Sequence, residues 1–271
     1  PDLSYEEALE VTKIYSVCGK LNNNGLVFKR PFRNPHNTLS KIALIGGGSS
    51  LMPGEISLAH NGVLFLDEVA EFNKNVLEVL RQPLEDRVIK ISRASGTVTY
   101  PASFMLITAL NPCPCGYYGS YSKPCICSDY EKKRYLSKLS GPLLDRMDIF
   151  TSVNSLSFKE INEKIKVESS ANIRLRVEKA IKIQHSRFKD ESIFYNAQMN
   201  SAEINKYCKI DKKISDIIEK IYNKYKLSAR AYNRVLKVSR TIADLNAREC
   251  INQYDVIEAL QYRKFINEEY I

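Results

Sequence analysis

Asn61-Gly62-Val63-Leu64-Phe65-Leu66-Asp67-Glu68 decides how the chain is read. Val63 to Leu66 is an unbroken apolar run that stops at two adjacent carboxylates. A short run of that kind fits a buried strand of a parallel sheet, covered on both faces. Two ionised side chains at a buried strand tip are costly, because desolvation disfavours charge. A positive partner or a water-activating task would keep them there. In nucleotide hydrolases one carboxylate holds Mg²⁺ and its neighbour orients or deprotonates the attacking water. A strand that simply runs out into a polar turn would look the same, so the rest of the chain has to choose.

A second apolar run, Phe104 to Leu110, reads as a second buried strand that ends in Asn111-Pro112, a natural neighbour for the first in a parallel sheet. Phe72 to Asp86 carries Val76, Leu77, Leu80 and Leu84 on one stripe, the spacing of an amphipathic helix. Val88–Arg93 and Thr97–Tyr100 alternate about Ala94-Ser95-Gly96, a hairpin signal. Upstream, Ser4 and Glu7 form a capping box for a helix running to about Tyr15. Residues 19–40 read as loop, and Glu55 to His60 as a short helix leading into the acidic strand. Gly46-Gly47-Gly48-Ser49-Ser50 lacks the Lys and the spacing of G-x-x-x-x-G-K-[ST], so it is expected to be a flexible loop and not a phosphate cradle.

Glycine and proline divide the chain. All 11 Gly and all 10 Pro lie at or before Pro142. Turns and strand–helix junctions use these residues, and helix interiors exclude them. Residues 1–154 are therefore expected to form an α/β domain and residues 155–271 an all-helical one, with a strand-like Asp148–Val153 before the boundary. Helices are expected over about 157–169, 171–188, 200–208, 211–225, 228–247 and 253–263. With 271 residues, 44% of them hydrophobic, and no apolar run of membrane length, the chain is expected to be globular, cytoplasmic and without a membrane partner. It opens Pro1-Asp2-Leu3-Ser4, with neither an initiator Met nor a signal peptide, which reads as a fragment or a processed chain. Net charge is +9, and the excess is mainly C-terminal: 23 Lys/Arg against 16 Asp/Glu in residues 151–271, and 17 against 15 before them. Such a surface suits nucleic acid, although Lys-rich solvated helices give the same balance.

Seven Cys are present and four cluster, in Cys113-Pro114-Cys115 and Cys125-Ile126-Cys127. An odd, clustered set fits a reducing compartment with one metal or redox site better than a disulfide framework. Two C-x-C pairs separated by nine residues can converge four thiolates on one tetrahedral ion, zinc or similar. A redox-sensitive pair and free loop thiols are the alternatives. Arg146, within Gly141-Pro142-Leu143-Leu144-Asp145-Arg146-Met147-Asp148, taken alone is an ordinary surface ion pair. Ser228 can cap a helix whose first turn holds Arg230, a placement that opposes the helix dipole unless an anion faces it.

Together these pieces resemble the AAA+ ATPases of the magnesium-chelatase-like group, and within it the ComM/YifB family. The resemblance is carried by Arg30-Pro31-Phe32-Arg33-Asn34-Pro35-His36, by Pro53 through Glu68, and by Leu80-Arg81-Gln82-Pro83-Leu84-Glu85-Asp86. Asn111 through Gly116, Gly141 through Arg146, and Ser228-Ala229-Arg230-Ala231-Tyr232 add to it, so it spans nearly the whole chain. It implies a parallel-sheet core of the P-loop NTPase type followed by a helical lid. Asp67 and Glu68 then correspond to the Mg²⁺ ligand and the catalytic base, and Asn111 to the sensor that positions water. Arg146 corresponds to an arginine finger reaching an adjacent subunit, and Arg230 to the lid arginine that meets the γ-phosphate in its own subunit. The hairpin at 88–100 corresponds to an insertion lining the central pore.

The resemblance further implies ATP and Mg²⁺ as cofactors, a homo-oligomeric ring (a hexamer), and DNA as the substrate of a branch-migration motor. A chelatase-type or chaperone-like subunit that remodels a protein partner is the alternative, and a degenerate fragment with a structural role is a third. One departure stands out: no G-x-x-x-x-G-K-[ST] occurs in these residues. The expectation is a C-terminal portion of a longer ATPase, truncated at the N-terminal side of its core, binding ATP poorly and not hydrolysing it alone.

Overall fold

The structure is a computed structural model, and it describes residues 1–21, 25–94, 96–119, 123–153, 167–225 and 227–263. The chain folds as two compact units, Asp2–Arg146 and Met147–Ile271.

In the first unit, Val63–Leu66 is the middle strand of a three-stranded parallel sheet, between Phe32–Arg33 and Met105–Thr108. The pairing sets Val63 beside Met105 and Leu66 beside Thr108, and on the other side Val63 beside Phe32. Leu64 and Leu66 are fully buried, and the Phe65 ring stacks on Phe32 with centroids 6.1 Å apart. The ladder runs past the strand ends: Ala109 N–H donates to Leu66 O (3.0 Å) and Val69 N–H to Ala109 O (2.9 Å).

The residues before this strand stitch it to its neighbours. Asn61 N–H donates to Ser103 O (2.6 Å), and Ser103 N–H donates back to His60 Nδ1 (3.0 Å). The other ring nitrogen of His60 bonds Glu10 (3.0 Å), and burial pushes this imidazole down from its ordinary pKa. Val63 N–H donates to Pro31 O (2.8 Å), and a Cβ at Gly62 would stand 2.1 Å from that oxygen. No side chain fits at Gly62. The arginines of the Arg30–His36 stretch are clamps: Arg30 pairs with Glu7, and Arg33 grips Glu55 through Nε (2.6 Å) and Nη2 (2.8 Å).

The Ser4/Glu7 capping box forms as expected and starts the helix Tyr5–Val17, which buries Ala8, Val11 and Ile14. The amphipathic stretch 72–86 is not one helix but two, Lys74–Glu78 and Arg81–Asp86. Pro83 explains the break. Inside one continuous helix its ring would strike the Val79 carbonyl, whereas in the first turn its missing N–H costs nothing. The apolar stripe survives, with Val76, Leu77 and Leu80 buried. The glycine run is not a loose loop either. Gly46–Gly47 pairs antiparallel with Met52–Pro53, and a Cβ on Gly46 would lie 2.4 Å from Met52 O. The hairpin is as expected, Val88–Arg93 against Gly96–Pro101, with Arg93 opposite Gly96.

The second unit contains the helices Ser170–Arg187, Ser201–Tyr207, Lys212–Tyr225, Ala229–Leu245 and Gln253–Gln261. The helix expected over 157–169 lies outside the described residues, save for its last three positions, which are not helical. Ala229–Leu245 is the central helix, burying Ala231, Val235, Leu236, Ile242 and Ala243. Its Asp244, 1% exposed, is held by Arg187, by Arg240 and by Asn196 Nδ2 (2.7 Å), so a buried carboxylate is fully paired. Residues 148–153 are not a strand; Phe150 N–H donates to Tyr262 O (2.9 Å), and the described residues of this helical unit contain no strand to pair with. Among the described residues no helix is long and apolar enough to cross a membrane.

Gly62→Ala is expected to destabilise the first unit by about 3 kcal/mol, because the backbone at Pro31 must move to admit the Cβ. A urea midpoint for Gly62→Ala equal to that of the unaltered chain would refute the close-approach role.

Candidate functional site

The site is built where two neighbouring parallel strands end. Because Leu66 pairs with Thr108, the residues that follow, Asp67-Glu68 and Ala109-Leu110-Asn111, leave the same edge of the sheet. In open α/β sheets that carboxyl edge is where ligands bind. Asp67, Glu68 and Asn111 are all exposed there. The burial cost argued from sequence therefore does not arise: the strand is buried, but its tip is open to water.

Glu68 has φ 48° and ψ 47°, the left-handed region. For a residue with a Cβ that conformation costs about 1 kcal/mol or more. It is held by Glu68 N–H donating to Asp67 Oδ1 (3.0 Å) and by the Val69–Ala109 bond on the next residue. Strain of this kind is characteristically stored where side chains must be aimed for chemistry. Two exposed carboxylates and an amide offer only hard oxygen donors and leave room for water and phosphate. That donor set fits Mg²⁺, which keeps several waters and takes one or two protein carboxylates.

The other expected site residues are placed as follows. Arg146 is in the same unit, its side chain 9% exposed; it is bound to the Glu85 carboxylate and donates from Nη1 to Pro142 O (2.8 Å). Its Nε is buried without a partner. Arg230 belongs to the second unit, exposed in the first turn of Ala229–Leu245, where Ser228 Oγ accepts from Ala231 N–H (3.1 Å). The structure thus brings together Asp67, Glu68 and Asn111, and commits Arg146 to Glu85.

The four clustered cysteines converge. The Sγ atoms of Cys113, Cys115, Cys125 and Cys127 all lie within 4.8 Å of one another, and none forms a disulfide. The backbone N–H of Tyr117, then that of Ile126, hold the Cys115 thiol down to about 6. The loop adjoins the strand tips: a Cβ at Gly116 would come within 4.0 Å of Asn111 Cγ. Tyr135 links the two places. Its hydroxyl is pushed up to about 12 by burial, then by the Glu71 and Glu68 carboxylates and by Cys113.

Tyr135 and its helix Asp129–Leu136 were missed by the sequence reading, although Ser128 and Glu131 form a capping box legible as S-x-x-E. Glu85 had no local signal, since its partner is 61 residues away.

Glu68→Gly is expected to raise stability by about 1 kcal/mol by releasing the left-handed strain, while Glu68→Ala, which keeps a Cβ, does not. Urea denaturation of both variants measures it. A glycine variant no more stable than the alanine variant would remove the claim of stored strain.

Comparison with known proteins bears on the family of the chain. Residues 1–161 match the family model described as magnesium chelatase, subunit ChlI, and residues 167–263 match its ChlI C-terminal model. The competence protein ComM of Haemophilus influenzae (strain ATCC 51907 / DSM 11121 / KW20 / Rd) is 44% identical over 98% of this chain and 51% of its own length. YifB of Escherichia coli (strain K12) is 42% identical over 97% of this chain and 51% of its own length. A chloroplastic magnesium-chelatase subunit, ChlI-2 of Arabidopsis thaliana, is 23% identical over 79% of this chain and 45% of its own length. The chain spans about half the length of the curated relatives it matches. A parallel α/β sheet followed by a helical region is the arrangement of an AAA+ core and lid. The chain belongs to the magnesium-chelatase-like AAA+ proteins, in the ComM/YifB family.

Proposed function

We propose that this chain supplies the catalytic edge of a Mg²⁺-dependent ATPase that works on DNA as a homo-oligomeric ring, a hexamer. The observation that carries the ATPase part is the pair of adjacent strand tips, Asp67-Glu68 beside Asn111, at the carboxyl edge of a parallel sheet. Asp67 would hold the ion, and Glu68 would take the proton from the attacking water. The Asn111 amide hydrogen-bonds that water and fixes its direction. Mg²⁺, when bound, neutralises charge on the phosphate oxygens. Arg146 acts across a subunit boundary, for which it must leave Glu85, and Arg230 acts from the lid. Zinc belongs to a separate place, the four thiols of Cys113, Cys115, Cys125 and Cys127. Reduced thiols suit the cytoplasm.

DNA is supported by the net charge of +9 and by Lys90 and Arg93 exposed on the hairpin. The second reading, a subunit that remodels a protein partner, is favoured by the similarity to the plant chelatase subunit.

In the protein extended to the length of its relatives, Glu68→Gln is expected to lower kcat about 10³-fold while ATP binding stays within a few-fold. Unchanged turnover would overturn the ATPase assignment. For DNA, Lys90→Ala with Arg93→Ala is expected to weaken binding and flatten the log Kd against log salt slope by about 2 per subunit engaged. An unaltered slope favours the protein-remodelling reading.

A further inference from the structure

We propose that Cys113, Cys115, Cys125 and Cys127 bind one zinc ion, and that this ion fixes the loop that holds Asn111 at its strand tip. The first half stands on the thiols alone. Sγ–Sγ distances are 3.4 Å for Cys113–Cys115, 3.6 Å for Cys115–Cys125 and 3.6 Å for Cys125–Cys113. A tetrahedral zinc with bonds of about 2.3 Å places its thiolates about 3.8 Å apart, close to that spacing. A disulfide needs about 2.05 Å and would draw out one pair, whereas here three separations are nearly equal. An iron–sulfur cluster needs room for several irons and sulfides between its thiolates, which this spacing does not leave. Soft thiolates also select zinc over the Mg²⁺ suited to Asp67, so the two ions do not compete.

The surroundings fit a tetrathiolate ion. Tyr118 N–H donates to Cys113 Sγ (3.3 Å), and the N–H groups of Tyr117 and Ile126 bond Cys115, donations that stabilise metal-bound thiolates. Four thiolates on one divalent ion leave two negative charges, and the Lys132 ammonium lies within electrostatic reach of Cys125. The loop also needs a fastening. Among the described residues from Pro112 to Cys127, Cys113 alone is buried, and Ile126 is 86% exposed. A segment with so little core takes its folding energy from the metal.

The consequence for Asn111 rests on the proposed ATPase. Asn111 is two residues before the first ligand, and the Gly116 turn of the loop closes over its side chain at 4.0 Å from the Cβ position. Tyr135 packs within electrostatic reach of both Cys113 and Glu68. The ion therefore acts as a positioning element for the water-orienting amide.

The test of the ion uses the chain purified without chelator in zinc-supplemented buffer. Elemental analysis is expected to give about one zinc per chain, lost in Cys113→Ser and in Cys127→Ser but kept in Cys250→Ser, whose thiol lies outside the cluster. Co²⁺ exchanged into the site is expected to show sulfur-to-cobalt charge transfer and tetrahedral visible bands that vanish in the same two variants. Far-UV circular dichroism of each variant separates loss of ligand from loss of fold. Stoichiometric iron, a disulfide in freshly purified protein, or metal unaffected by both Ser variants would each overturn the zinc assignment. The positioning half is read in the relative-length protein: loss of zinc is expected to lower kcat about tenfold with ATP affinity unchanged. Turnover unaffected by zinc loss overturns that half. An unmodified protein that hydrolyses no ATP overturns the ATPase and leaves the zinc result standing.

Discussion

Parallel pairing of Val63–Leu66 with Met105–Thr108 is the constraint on which the first unit depends. Parallel strands advance in step, so two strands in register end on the same side, and whatever follows each is brought to one edge. Here that geometry sets two carboxylates beside an amide-bearing tip. Everything nearby protects the register. Gly62 removes a side chain that would strike Pro31 O, and His60 and Asn61 bond across to Ser103, so the strand cannot slip by a residue without losing both sets of bonds.

The edge so formed combines a rigid base with an open tip. Leu64 and Leu66 are fully buried, whereas Asp67 and Glu68 are solvated and Glu68 is held in a left-handed conformation. That separation resolves the apparent cost of placing acids on an apolar strand: the apolar residues stay in the core, and the carboxylates stand beyond it. On one flank the edge adjoins the thiol loop. Arg146, in the same unit, is bound by Glu85 on the short helix that leads through Arg87 into the hairpin. The guanidinium, nearly covered itself, is thereby neutralised by a carboxylate that is 44% exposed.

Much of this was legible in the chain. The uninterrupted run before Asp67, the second run before Asn111, the alternation on both sides of Gly96 and the absence of Gly and Pro after residue 142 fix the parallel sheet, the hairpin and the helical region. These are local patterns with a period or a composition, and such patterns survive folding. The misreadings have local causes too. Pro83 splits the 72–86 helix, a rule that could have been applied to the sequence. The Gly46–Gly47 hairpin and the unpaired 148–153 segment depended instead on whether a partner strand was present, which no single stretch reveals.

The sequence by itself determined the inventory: a strand ending in Asp-Glu, a strand ending in Asn, four cysteines in two C-x-C pairs, and two arginines in distinctive surroundings. Only the tertiary structure decided which of these meet. It placed Asp67, Glu68 and Asn111 on one edge, drew four sulfurs within 4.8 Å, and gave Arg146 to Glu85. The physical reason is sequence separation. Glu85 and Arg146 are 61 residues apart, and Cys113 and Cys125 are 12 apart, across a loop with no periodic pattern. Contacts of that kind are set by how the backbone closes, and side-chain types alone do not encode it.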